Sequence, residues 1–146
     1  MNYQIEKYKP KYKNELLTVW EKSVLATHHF LTPKDFTEIK EMLKSFDFEK
    51  LSVFCLTEND RVLGFVALED LKIEMLFLDP EYIGKGFGYQ LLDFAVSTHK
   101  ANLVDVNEQN INAKNFYEKF GFETFKRTDK DDLGKNYPLL KMKLKK

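Results

Sequence analysis

The stretch Ile83-Gly84-Lys85-Gly86-Phe87-Gly88 constrains this chain more than any other. Glycines on alternate positions weaken both strand and helix, so the backbone there must turn sharply or come close to something. Before it, the apolar run Lys72–Leu78 has strand length and is broken by Asp79-Pro80-Glu81-Tyr82. After it, Leu91, Leu92 and Ala95 recur on one helical face. A strand, a glycine loop and a new helix gather free backbone N–H groups and the positive end of a helix dipole, which suits a phosphate, and Lys85 adds a cation. A glycine-rich turn with no ligand would carry the same letters. A P-loop does not fit, because Gly88 is followed by Tyr89-Gln90 rather than lysine and a hydroxyl. A dinucleotide fingerprint does not fit either, because it needs wider spacing in its second half and opens a βαβ unit.

The rest of the chain supplies the elements around that loop. Residues 3–8 alternate as a first strand that Pro10 ends, and Leu16, Leu17, Trp20 and Val24 mark a helix over 14–25. Thr32-Pro33 reads as a cap and first helical position, with Phe36, Ile39, Met42, Leu43 and Phe46 as the apolar stripe of a second helix. Residues 51–57, 62–69 and 72–78 read as strands joined by tight turns, an antiparallel meander. A helix over 87–98, a short buried strand over 103–106 and a helix over 112–120 closed by Gly121 follow. Strands over 123–127 and 139–144 flank a polar loop, 128–138. No repeat or linker divides the chain, so 1–146 reads as one domain of order β-α-α-β-β-β-α-β-α-β-β, an α/β sandwich around one central sheet.

Composition removes whole classes of function. The 146 residues are 43% hydrophobic and 32% charged, a globular balance, and the thirteen phenylalanines read mainly as core. Twenty-three basic residues against 23 acidic ones give no net charge, so no nucleic-acid partner is expected. Cys55 stands alone, which excludes a disulfide framework and a thiolate zinc site, and no metal is expected. No apolar run is long enough to span a membrane, and residues 1–7 lack the apolar stretch of a secretory signal. A cytoplasmic protein with no membrane partner is expected.

Residues 78–88, followed by Leu91-Leu92, resemble the acyl-CoA pyrophosphate loop of the GNAT superfamily of N-acetyltransferases. A second block, Asn107-Glu108-Gln109-Asn110, Asn112-Ala113 and Phe116-Tyr117-Glu118-Lys119-Phe120-Gly121-Phe122, is similar to the family's second CoA-contacting segment. The element order is also the family's order, so the resemblance covers essentially the whole chain and implies a mixed, mostly antiparallel (α+β) sheet flanked by helices. One position departs: the family usually carries arginine or glutamine before the first glycine, where this chain has Ile83. The resemblance implies acetyl-CoA as co-substrate, held by Leu76, Phe77 and Leu78 on a splayed strand, by Ile83, Gly84, Lys85, Gly86, Phe87 and Gly88, and by Asn107, Asn112, Ala113, Phe116, Tyr117 and Lys119.

Acetyl transfer needs a neutral amine, a polarised thioester and a proton for the leaving thiolate. Tyr117 matches the family's tyrosine beside the sulfur and is the expected acid; as an amphipathic core tyrosine it would look the same. Asn112 reads equally as a helix N-cap, and Asn107 as a loop cap. For the base, His28 in the loop between the first helices, Glu74 with the alternation parity of Leu76 and Leu78, and a water relay stay open. Residues 26–31 and 131–140 resemble a branch of small bacterial GNAT proteins and would line the acceptor side, where Asp131 and Asp132 would attract a cationic amine or simply be a loop charge pair. The expected reaction is acetyl transfer to a primary amine of an unspecified small-molecule or peptide acceptor in a direct ternary complex, by a monomer or homodimer. The alternative is a non-catalytic acyl-CoA-binding or sensing module on the same fold.

Overall fold

The computed structural model describes residues 3–145, so residues 1, 2 and 146 of the expected 1–146 unit lie outside the described residues. Strands β1 (Tyr3–Lys7), β2 (Ser52–Glu58), β3 (Arg61–Glu69), β4 (Lys72–Leu78), β5 (Leu103–Asn107), β6 (Phe122–Thr128) and β7 (Leu139–Leu144) form one sheet. Helices α1 (Lys13–Thr27), α2 (Pro33–Ser45), α3 (Phe87–His99) and α4 (Ile111–Phe120) complete the expected order, with single 3₁₀ turns at Pro10–Tyr12, Phe48–Lys50 and Pro80–Tyr82. The strand order is β1-β2-β3-β4-β5-β7-β6, antiparallel throughout except where β4 meets β5.

Strand β3 sits centrally, and every residue from Val62 to Leu68 is buried. Its side chains serve two cores. Leu63, Val66 and Leu68 pack with α3 and α4 residues such as Leu91, Leu92 and Tyr117. Val62, Phe65 and Ala67 pack with Leu16, Val19, Trp20 and Leu43 of α1 and α2. Each fully buried Leu or Phe side chain contributes about 1.5–3 kcal/mol, so these two layers hold the sheet between the helix pairs. Gly64 is the one β3 position where a side chain would not fit, since a Cβ there would lie 2.9 Å from the Phe77 carbonyl oxygen.

Local signals explain most helix ends. The Thr32 hydroxyl accepts from the Asp35 N–H at 3.1 Å and Pro33 occupies the first helical position, as read from the sequence. Gly121 closes α4 with φ +129°. Two expectations change. Met42 is 46% exposed and falls outside the apolar stripe of α2. Helix α4 begins at Ile111, with Asn110 as its cap: the Asn110 side chain accepts from the Ala113 N–H at 3.1 Å. Asn112 is therefore not the N-cap but lies in the first turn.

Candidate active site

Strands β4 and β5 pair for only two positions, Lys72 with Leu103 and Ile73 with Val104, and then part. The register of β4 against β3 gives the cause. Opposite β4, Ala67 pairs with Met75 and Leu68 with Ile73, which leaves Glu74 as an extra residue without a β3 partner. Such a bulge bends its strand and raises the local twist, carrying the rest of β4 away from β5. The open edges of both strands then border a cavity of about 300 Å³.

The bulge also resets side-chain direction. Ile73 packs in the same core as Leu76 and Leu78, while Met75 and Phe77 pack in the other. Contrary to simple alternation, Glu74 therefore does not share the parity of Leu76 and Leu78. Its carboxylate lies 3.7 Å from Lys72 Nζ, which is itself 2.8 Å from Asp105 and 4.0 Å from Asp132. Burial raises the Glu74 carboxyl above its usual range, and Lys72 opposes that rise. Glu74 borders both the cavity and the neighbouring charged hollow.

The glycine loop borders the cavity through Ile83 and Gly88. Gly84 and Gly86 have φ of +87° and +82°, and a Cβ on either would meet nothing within 4 Å. Backbone handedness, rather than packing against the protein, demands glycine at both positions. Gly86 caps α3 with no side-chain hydrogen bond, and the first bond of the helix runs from the Gln90 N–H to the Gly86 carbonyl. The N–H groups of Phe87, Gly88 and Tyr89 are thus left without helical acceptors, at the positive end of the helix. The loop is tied down by buried Asp79, which accepts from Lys22 Nζ at 3.0 Å and from the Glu81 N–H at 3.0 Å.

Tyr117 and His28 line the same cavity. Tyr117 is buried and packs edge-on against Phe116 and Phe122. Its hydroxyl has no hydrogen-bond partner among the described residues, yet no buried polar side-chain atom there is orphaned, so the oxygen opens onto the cavity that Tyr117 lines. Burial raises this phenol well above the ordinary tyrosine range. His28 ends α1, half-buried, with its ring beside Phe30 and Phe77. Burial, with a smaller push from His29, lowers the His28 imidazole below its usual value and so favours its neutral form. His29 is exposed and borders a separate apolar hollow with Leu31 and Phe36.

Of the residues expected to hold the cofactor, Leu76, Phe77, Leu78, Ile83, Gly88, Asn107, Asn112, Ala113, Phe116 and Tyr117 line the cavity. Three side chains do not. Phe87 is buried against Tyr3 and Tyr82, Lys85 stands over the Tyr82 ring at 5.5 Å, and Lys119 is exposed on α4. The Asn107 side chain accepts from the Gln109 N–H at 2.9 Å, so its loop-cap reading holds, and it borders the cavity as well. Asn110, Asp105 and Thr27 also line the cavity and were missed. The cap spacing Asn110-x-x-Ala113 was an available signal for Asn110; nothing local marks the other two.

Loop 128–138 is fastened over α2. Lys135 reaches Asp35 at 3.0 Å and Glu38 at 2.9 Å, and the Tyr137 hydroxyl donates to Asp35 at 2.5 Å. The Tyr137 bond, followed by Lys135, holds the Asp35 carboxyl below its usual range. Asp131 accepts from the Leu133 and Lys135 N–H groups and so shapes its own turn, while Asp132 is exposed beside Lys72. No group of three or more metal-binding side chains occurs among the described residues, and none of their helices is long and apolar enough to cross a membrane.

The family model for the acetyltransferase (GNAT) domain matches residues 9–146. Peptidyl-lysine N-acetyltransferase YjaB of Escherichia coli K12 is 40% identical over 128 residues, 88% of this chain and 87% of that protein. The solution structure of apo-form YjaB from Escherichia coli superposes with a TM-score of 0.90 at 35% identity, covering 99% of this chain and 98% of that one. PaiA N-acetyltransferase from Thermoplasma acidophilum, solved with coenzyme A, shares the fold with a TM-score of 0.75 at 22% identity over 99% of this chain and 100% of its own. The chain belongs to the GNAT acetyltransferase family, and it is an N-acetyltransferase.

Proposed function

We propose that this chain transfers the acetyl group of acetyl-CoA to the side-chain amine of a lysine in a protein or peptide, within a direct ternary complex. The observation that carries this reading is the cavity between β4 and β5, bordered by a phosphate-suited glycine loop, with Tyr117 and His28 on its wall. The peptidyl-lysine name of the 40% identical relative supports the acceptor class. The N–H groups of the loop and α3 would hold the pyrophosphate through backbone alone, which accommodates Ile83 in place of a cationic or amide side chain. The free edges of β4 and β5 and the amides of Asn107 and Asn112 would satisfy the peptide-like groups of pantetheine.

In the reaction the amine nitrogen forms a bond to the thioester carbonyl carbon, the C–S bond breaks, and the amine gives up a proton. A lysine amine with pKa near 10.4 is neutral in only about one molecule in a few thousand at pH 7, so a base matters. His28 is our choice: it lines the cavity, burial favours its neutral form, and Glu74 is drawn to Lys72 instead. Tyr117 would give its hydroxyl proton to the departing sulfur. Burial makes the phenol a weaker acid, but the same burial makes the thiolate a stronger base, so the transfer stays close to balanced. The free hydroxyl of Tyr117 also favours an enzyme over a module that only binds acyl-CoA. We place it in the cytoplasm as a monomer or homodimer, with its single cysteine buried and unpaired.

Acetyl-CoA at 100 times its dissociation constant is expected to stabilise the fold by about 2.7 kcal/mol, read as a rise in Tm. A rise with NAD or ATP and none with CoA would contradict the cofactor. His28→Ala is expected to leave CoA affinity unchanged and to lower kcat/KM by about 100-fold at neutral pH. Because the His28 pKa lies below the usual histidine value, the wild-type acid limb should fall below that value and vanish in the variant. Raising the pH should recover the variant, since more acceptor amine is then neutral without help.

A further inference from the structure

The Thr27 hydroxyl makes two contacts at 2.7 Å, one to the Ser23 carbonyl oxygen and one to His28 Nδ1. A hydroxyl has one hydrogen, and a carbonyl oxygen has none to offer. The Thr27 hydrogen is therefore committed to Ser23, and the Thr27 oxygen accepts from His28. Nδ1 must carry a proton. The neutral ring then keeps its lone pair on Nε2, which has no hydrogen-bond partner among the described residues. Since no buried polar side-chain atom among them is orphaned, Nε2 reaches open space.

We infer that Thr27 is a positioning residue: it fixes His28 as the Nδ1–H tautomer, so that Nε2 is the atom that takes the proton of the acceptor amine. This rests on the reading of His28 as the base. Thr27 and His28 both line the cavity between β4 and β5. The ring also borders a second hollow, which is mostly apolar and is lined by Val24, Leu25, Leu31, Pro33 and Phe36 together with His29 and Thr37. When Nε2 is protonated, the imidazolium still donates from Nδ1 to Thr27, so the proton arrives and leaves with no change of partner. Phe77 and Phe30 flank the ring and limit its rotation. The titratable groups around it are His29 beside it on the chain and, on the cavity wall, Glu74 of β4, Asp105 of β5 and Tyr117 of α4.

The test is nitrogen NMR of the His28 ring in the full-length protein, above the pH at which the imidazole titrates, combined with kinetics of three variants. The wild type should show a protonated, pyrrole-type Nδ1 and an unprotonated, pyridine-type Nε2. Thr27→Val keeps the side-chain shape but cannot accept, and Ser23 keeps its helical backbone bond. It should give a mixture of tautomers and lower kcat/KM by about tenfold, with the KM for acetyl-CoA unchanged. Thr27→Ser should restore both the ring spectrum and the rate. A wild-type ring protonated on Nε2 would overturn the tautomer assignment. Loss of turnover in His28→Ala alongside full turnover in Thr27→Val would overturn the role of Thr27 alone. Wild-type turnover in His28→Ala would instead overturn the base reading beneath it.

Discussion

Gly86→Asp is expected to abolish the rise in Tm that acetyl-CoA produces, with CoA affinity falling by more than about 100-fold. The backbone at this position has φ +82°, which aspartate tolerates better than most side chains but still at some cost. That cost is offset in the free protein, because a carboxylate at a helix N-cap accepts from the exposed N–H groups and complements the dipole. The ligand-free Tm should therefore change little. The ligand is what suffers, since the carboxylate occupies the anion position itself and repels the pyrophosphate. Gly86→Ala carries backbone strain without the charge and should weaken binding less. Differential scanning fluorimetry with and without acetyl-CoA separates the cases. An intact ligand shift in Gly86→Asp would show that the phosphates lie elsewhere.

Tyr117→Phe is expected to lower kcat by about 100-fold while leaving the Kd for CoA and the Tm nearly unchanged. The reason is the same free hydroxyl that marks the residue as an acid. Removing a hydroxyl that bonds no protein group leaves no buried partner unsatisfied, so stability has nothing to lose. The ring contacts with Phe116 and Phe122 survive in the variant. Equal losses of affinity and turnover, or a large fall in Tm, would make Tyr117 a packing residue instead. Titrating CoA by calorimetry alongside initial rates distinguishes the outcomes.

The elements of this fold were legible because each carries its own period and punctuation. Thr32-Pro33, Gly121 and the apolar runs of β3 and β4 act locally, and their positions follow from neighbouring residues alone. The place of β7 between β5 and β6 was not legible, since strand neighbours depend on contacts far apart in the chain. The bulge at Glu74 was the costlier miss. Strict alternation puts Glu74 with Leu76 and Leu78, and only the register against β3 shows one residue too many. That single residue opens the cavity and turns the carboxylate toward Lys72. In the glycine loop the alternating glycines were readable, but the fate of the side chains was not: Phe87 packs into the core beside Tyr82 and Tyr3, and Tyr3 lies far away in the chain. Asn112 and Asn110 present nearly the same letters, and the cap fell to the one whose oxygen meets the Ala113 N–H. The tie between Thr27 and His28 depends on where a helix ends and one hydrogen points, which no composition or spacing rule encodes.

Lysine acetylation is measured by incubating the protein with acetyl-CoA and an N-terminally blocked peptide containing one lysine, following thiol release and locating the acetyl group by mass spectrometry. Thiol release should run in step with acetylation at the lysine Nζ, and both should fall by about 100-fold in Tyr117→Phe. Thiol release without acetyl-peptide, or no turnover with lysine peptides alongside rapid turnover with a small-molecule amine, would contradict the proposed function.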